Sequence, residues 1–511
     1  MSRPRDFLGW LENRSDSLSP IVVKEVRQLV RAREFMYSFG ASLVAGLMVA
    51  SFGAGDALTG KGTSGSWTFA ALMGCLAFLG LAVVPLGAFS ALRNERMEQT
   101  LELITLTALS PRRVVIGKLL TQGVKLATLF AAMAPFIAMS FVLGGIDFVT
   151  ILVSILVLFL WSVWACALCL CLSTLFKARA MSVLVFGAGG VVLFVILSMA
   201  GNLFMLARRG GVSGPVVFGA ATGSGSWMTL AIATSFCLAS MANLVFLAEN
   251  RLSLPSENRV TPLRTGFLVQ FLLIAAWTLT SINGPAADRS GAVTALGIFG
   301  GLHLGMVAIF TVTEDLVVSR RAFLHMKSTS RWRWLLAMFR PGGGRGAVYV
   351  LAQMAVLLFA AWMLGADRFK VRWLVAVCGY VCFFTGAPVF FFRLLRPARA
   401  ASLQLRVAVM ALVLASVLLP DILYYLLWRP DVFDLKYSAR HLLNPFRTLA
   451  NWPLVETRAW FSVPVALGLT GLLAYLGVIF TGMGMAGQPA TIDPDGSGAT
   501  AGEPGSAHVL Y

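Results

Sequence analysis

The stretch "RNERMEQTLELITLTALSPRRVVIGK" occupies residues 93–118, and its reading decides the fold. Residues 67–92 before it and 119–144 after it are apolar runs, each longer than the roughly 20 residues that cross a bilayer. A polar stretch between two such runs belongs in water, at one face of a membrane. Within it, Met97, Leu101, Ile104 and Ala108 recur at helical spacing, while Glu95, Glu98 and Glu102 line another side. Ser110 and Pro111 then read as an N-cap and a first-turn proline, which open a second helix. On periodicity alone, a stiff projecting knob and an ordinary solvated loop with good caps are equally acceptable.

The rest of the chain agrees with a membrane setting. Of 511 residues, 58% are hydrophobic and only 13% charged, against about 25% charged in soluble domains. The expected fold is all-α and polytopic, with about twelve spans in two six-helix halves. The first six are expected near residues 35–55, 67–92, 119–144, 148–176, 181–206 and 227–249. The second six are expected near 266–282, 292–317, 347–364, 371–394, 402–428 and 461–483. This divides the chain into a cytoplasmic N-terminus (1–34), a first membrane half (35–250), a linker (251–265), a second half (266–483) and a tail (484–511). The tail is rich in Gly, Ala, Ser and Pro, a composition that favours disorder.

The net charge of +18 does not point to nucleic acid, because the basic residues flank apolar runs. With both termini inside, about 28 Lys and Arg fall on the cytoplasmic side and about 12 outside, as the positive-inside rule expects. The outer loop 429–458 runs against this bias with five basic residues. Lys125, near the inner end of the third span, is expected to snorkel. Residues 19–33 read as an amphipathic elbow helix in the inner interface, with Val22, Val23, Val26, Leu29 and Val30 on its apolar stripe. Residues 319–346 mix Trp with Arg and are expected to rest on anionic lipids. The location implied is a bacterial-type inner membrane.

Catalytic constellations are missing from the sequence. "GDALTGKG" (55–62) fits a phosphate-loop spacing but has Gly62 where Ser or Thr should hold magnesium, and it follows an apolar run rather than a strand. Seven cysteines lie in apolar segments without ligand spacing, and four histidines are scattered. No catalytic, cofactor-binding or metal residue is therefore expected. Gly297, Gly301 and Gly305 recur every four residues, a pattern that lets another helix approach closely. His303 shares that segment, and its simplest reading is a hydrogen bond to a neighbouring helix. Among intramembrane acids Asp421 is the best candidate for a transported-proton site, with a structural role at the interface the simpler reading.

The letters of 93–118 add more. The segment resembles the intracellular loop of ABC-2 type permeases, the membrane subunits of one class of ATP-binding-cassette exporters. Their pattern runs approximately E-R-E-x-G-T-L-E-L-L-x-x-T-P-L-S-P-x-x-x-x-x-G-K. Glu95, Arg96, Thr100, Leu101, Glu102, Leu103, Thr107, Leu109, Ser110, Pro111, Gly117 and Lys118 match it, with Arg112 beside them. Gln99 stands where the pattern has glycine and Ala108 where it has the first proline. The resemblance covers the first half, elbow helix included; the corresponding loop of the second half, 314–346, is unrelated in letters. It implies that 100–118 docks on a separate ATPase subunit, present in two copies, which would carry the ATP and Mg. It also implies either a homodimer or a second permease half. The expected function is a permease subunit of an ABC transporter, exporting a substrate. An ion-coupled secondary carrier and a non-transporting membrane scaffold are the alternatives.

Overall fold

The structure, a computed structural model, describes residues 20–58, 64–97, 111–144, 148–175, 224–253, 260–283, 286–314, 337–395, 402–428, 437–457, 460 and 462–485. These residues are helical throughout their regular segments, and no strand occurs among them. Among the described residues, ten helices are long and apolar enough to cross a membrane, at ten of the expected positions. A further long helix, Ser224–Leu252, overlies the expected 227–249. The expected span 181–206 falls outside the described residues. Helices are the physical consequence of such a composition, since lipid offers no partner for a backbone N–H or C=O.

The chain divides into two compact units, Met1–Ser253 with Thr265–Leu273, and Leu254–Arg264 with Ile274–Tyr511. In the first, helix α1 (Pro20–Arg31) is strongly amphipathic and opens on Pro20. Ala32 lies outside helical geometry, and α2 (Arg33–Leu58) follows. Helix α3 (Ser64–Phe78) passes through a π-helical turn (Leu79–Val83) into α4 (Val84–Met97). The first unit continues with α5 (Pro111–Val142), α6 (Phe148–Leu175) and α7 (Ser224–Leu252). Leu72, Leu76, Leu92, Leu126, Leu129, Met133 and Ile137 form its dry core.

The π-helical turn is placed where it brings a small residue to a neighbour. A Cβ on Gly80 would stand 2.3 Å from the Ser162 hydroxyl of α6, so α3–α4 and α6 approach closely there. Such single wide turns occur often at functional positions in long helices.

Helix α8 (Val260–Leu279) gives Thr265–Leu273 to the first unit and its remaining residues to the second. Within the first unit, the buried Asn243 amide of α7 donates to Gln270 Oε1 at 2.7 Å. The second unit adds α9 (Ala286–Thr311), α10 (Gly343–Met363), α11 (Arg368–Leu395), α12 (Ser402–Trp428) and α15 (Ser462–Met485). Helix α10 ends at Gly365, whose φ of 69° is left-handed; Ala366 N–H then reaches back to the Ala361 carbonyl at 3.1 Å. That pattern satisfies carbonyls a helix end would otherwise leave open.

Part of the expected outer loop of this unit is helical rather than irregular. A 3₁₀ turn (Ala439–Leu443) leads into α13 (Pro445–Ala450) and α14 (Trp452–Thr457). Tyr437, Leu442, Trp452 and Val455 pack with Ala376 of α11 in a small core.

Helices α11 and α15 touch along a glycine seam. A Cβ on Gly379 would lie 2.9 Å from Gly468 Cα, and one on Gly471 would lie 2.4 Å from the Phe383 amide nitrogen. Backbone approach of this kind is what small residues permit between membrane helices, where packing rather than hydrophobicity drives association.

Candidate functional site

The two flanks of the 93–118 segment belong to α4 and α5. Glu95 and Arg96 fall in the last residues of α4, where the side chains are not described; Thr100, Leu101, Glu102, Leu103, Thr107, Leu109 and Ser110 lie outside the described residues. Pro111 is the first residue of α5, a position that needs no N–H and suits the fixed φ of proline. One residue on, the Arg112 guanidinium stands over the Phe246 ring of α7, 5.3 Å from its centroid.

Further along α5 the motif residues meet the elbow. Lys118 Nζ donates to Glu25 Oε1 of α1 at 3.0 Å, and Thr121 Oγ1 donates to Glu25 Oε2 at 3.1 Å. The same hydroxyl lies 3.0 Å from the Gly117 carbonyl. One carboxylate thus uses both oxygens on one helix face, and both partners are largely buried. Charge-assisted bonds of this kind are stronger than neutral ones. The elbow is tied to α5 two turns from the helix start.

The polar face of α5 does not stop there. Lys118, Thr121, Gln122 and Lys125 are all buried. Lys125, read as able to snorkel from near the inner end of the third span, is covered by neighbouring helices and only 7% exposed. Its ammonium lies beside Gly87 of α4, 3.7 Å from where a Cβ would stand.

In the second unit, Val312 and Glu314 meet residues 338–342 in a cluster of ions and carbonyls. Arg264 of α8, 0% exposed, donates from Nη2 to Glu314 Oε2 at 2.5 Å. Its Nη1 donates to the carbonyls of Met338 (2.5 Å) and Arg340 (2.8 Å). The Gly342 N–H adds a bond to Glu314 Oε2 at 3.1 Å. From α11, Arg393 Nη2 donates to the carbonyls of Val312 (3.1 Å) and Glu314 (2.7 Å). Burial pushes the Glu314 carboxyl above the ordinary carboxylate range, and the Arg264 charge and the Gly342 N–H draw it back.

The glycine run "PGGGRG" (341–346) makes this geometry reachable. Gly342 has φ 125°, a region closed to most side chains. A Cβ on Gly346 would fall 2.1 Å from the Thr311 carbonyl, so only glycine lets α10 start against the end of α9. Of the three glycines expected to pack helices, Gly297 faces Trp373 and Gly301 faces Val377 of α11, while Gly305 meets no neighbour among the described residues. Gly300 takes a partner instead, against Leu357 of α10.

Asp421 lies in an ion network. It accepts from His441 Nε2 at 2.9 Å and pairs with Arg447 at 3.2 Å, with Arg440 at 3.8 Å. The Arg440 guanidinium sits 3.6 Å over the Tyr424 ring. His441 Nδ1 accepts from the Ser438 N–H at 3.1 Å. His303 is buried beside Gln353 of α10. No group of three or more metal-binding side chains occurs among the described residues, and all seven cysteines are free.

Sequence reasoning missed Arg264, Glu314 and Arg393 as a unit. Only the glycine run and the charge of Glu314 at a span end hinted at them. Comparison with family models, with curated proteins and with solved structures finds no match for this chain. The helices define the class: this is an integral membrane protein, built from many apolar helices.

Proposed function

We propose that the chain is the membrane-spanning subunit of an ATP-driven transporter, coupled to a separate ATPase subunit and moving its substrate outward. The single observation that carries this reading is the 93–118 segment: its letters resemble a coupling loop, and its Gly117–Lys118 end is fastened to the elbow helix through Glu25. A push on that loop would reach α4 and α5 directly, and α1 through the Glu25–Lys118 pair. α5 is 32 residues long, about 48 Å of helix, so it could carry motion across the whole bilayer. We further infer twelve spans in two halves, both termini inside, and a homodimer bound by two ATPase copies at the inner membrane. ATP and Mg belong to the partner in this reading, and the chain itself supplies no catalytic group.

The reading is tested by co-purifying the chain with a candidate ATPase and measuring ATP turnover and flux in liposomes. Glu102→Arg, or deletion of residues 107–112, is expected to leave insertion intact and to uncouple hydrolysis from transport. Full coupling in both variants overturns it. The Asp421 network weighs against an ion-coupled carrier, because its carboxylate is engaged by His441 and two arginines. A scaffold would bind the ATPase without ATP-dependent flux.

A further inference from the structure

Lys125 is the charged residue of the α5 polar face to which no described side chain bonds. Lys118 and Thr121 end on Glu25. Among the described residues, no hydrogen bond or ion pair reaches the Lys125 ammonium. Glu34, exposed at the start of α2, acts on it only through space. The Gly87 carbonyl beside it accepts from the Ser90 hydroxyl at 2.9 Å. Gln122, three residues earlier and on the same face of α5, is also buried, and its Oε1 has no partner.

The depth matters. Lys125 lies six residues beyond Leu119, where the apolar run begins, so it sits roughly 9 Å into the apolar layer. A charge there is costly and marks a functional position by default. An ammonium offers three donors and no acceptor, so what completes it is an anion. Gly87 leaves space beside Nζ: among the described residues nothing but Lys125 comes within 4 Å of a Cβ built there. The free Gln122 oxygen adds an acceptor for a hydroxyl or amide neighbouring that anion.

We propose that Lys125, Gln122 and Gly87 form an intramembrane site for the headgroup of an anionic amphiphile, whose acyl chain would lie along the apolar helices. As a statement of the substrate class, this rests on the transporter reading above. As a binding site, it is tested without any ATPase, so the two can fail separately.

The experiment measures binding of a spin-labelled long-chain carboxylate, and of its methyl ester, to the purified full chain in phosphatidylcholine nanodiscs. Saturable binding of the acid is expected, with the ester at least about ten-fold weaker. Lys125→Gln should weaken the acid by about ten-fold or more and leave the ester unchanged, while Lys125→Arg should retain it. Gly87→Leu keeps the charge and fills the space, and should also lose the acid. Should Lys125→Gln fail to fold, Lys125→Met removes the buried charge with an apolar chain of similar length, a change buried sites often tolerate; it too should lose binding. Repeating the measurement with phosphatidylglycerol nanodiscs separates two sources of the anion. Competition there assigns the site to a lipid phosphate of the bilayer, and its absence to a free amphiphile. Equal binding of acid and ester, or wild-type binding by Lys125→Met or Gly87→Leu, overturns the proposal.

Discussion

Glu25 and Lys118 meet at 3.0 Å although 93 residues separate them, and this pair joins the elbow helix to the helix that leaves the 93–118 loop. In the transporter reading proposed above, this position would make the elbow part of the moving machinery rather than a passive anchor. Glu25→Ala is expected to cost about 2 kcal/mol, since it removes the carboxylate that Lys118 and Thr121 share. A double-mutant cycle with Lys118→Met, read by thermal unfolding in detergent, should return a coupling of about 1–3 kcal/mol. In liposomes holding the chain with the proposed ATPase partner, the Glu25→Ala complex should keep its ATP turnover and show reduced flux.

Stability should depend on pH through Glu314. Its carboxyl is raised above its ordinary 4.5, chiefly by burial. A carboxyl raised on folding contributes stability that is complete below the unfolded value and lost as pH climbs through the folded one. Arg264→Gln removes the charge that draws the value back, so the folded pKa rises further and the loss deepens. Melting curves between about pH 5 and about pH 8 should fall more steeply for Arg264→Gln than for the native chain. Adding Glu314→Gln should flatten them.

The glycine seam predicts an asymmetry between two glycines of one unit. Gly471→Ala would press a methyl against the Phe383 backbone, forcing α11 and α15 apart at about 1–3 kcal/mol. Gly305→Ala meets nothing within 4 Å among the described residues and should be neutral, or stabilising by up to about 1 kcal/mol from helix propensity. Thermal unfolding of the two variants side by side checks this. Equal effects would mean that the seam carries no packing energy.

Asp421→Asn should separate structure from transport. It leaves Arg440 and Arg447 facing each other around His441, and should destabilise by about 2 kcal/mol, held down by partial exposure. ATP-driven flux should persist in whatever fraction remains folded, and should survive collapse of the proton gradient. Flux that disappears with the gradient would favour the secondary carrier.

Ten of the long helices were legible because a span is a matter of composition: about twenty apolar residues give the same answer wherever the chain puts them. Pro111 was legible because a helix start is a local event. The burial of Lys125 was illegible for a related reason. An apolar run has almost no phase, so nothing in it says whether a lysine faces lipid or a neighbouring helix. The Arg264–Glu314 pair was illegible because it joins residues 50 apart and is completed by the carbonyls of Met338 and Arg340, which any residue could supply. The glycines at 342–346 were visible as letters, but their reason is the Thr311 carbonyl, which appears only when α9 and α10 are placed together.

The π-helical turn at Leu79–Val83 has a consequence for the helix that follows it. It holds one residue more than an α-helical turn, so everything from Val84 onward is rotated about 100° from where a continuous α-helix would carry it. Removing a single residue there would keep every apolar letter that makes the span a span. It would also swing Glu95, Arg96 and the loop beyond them around the helix axis, as a misassembled crank turns its handle from the rod.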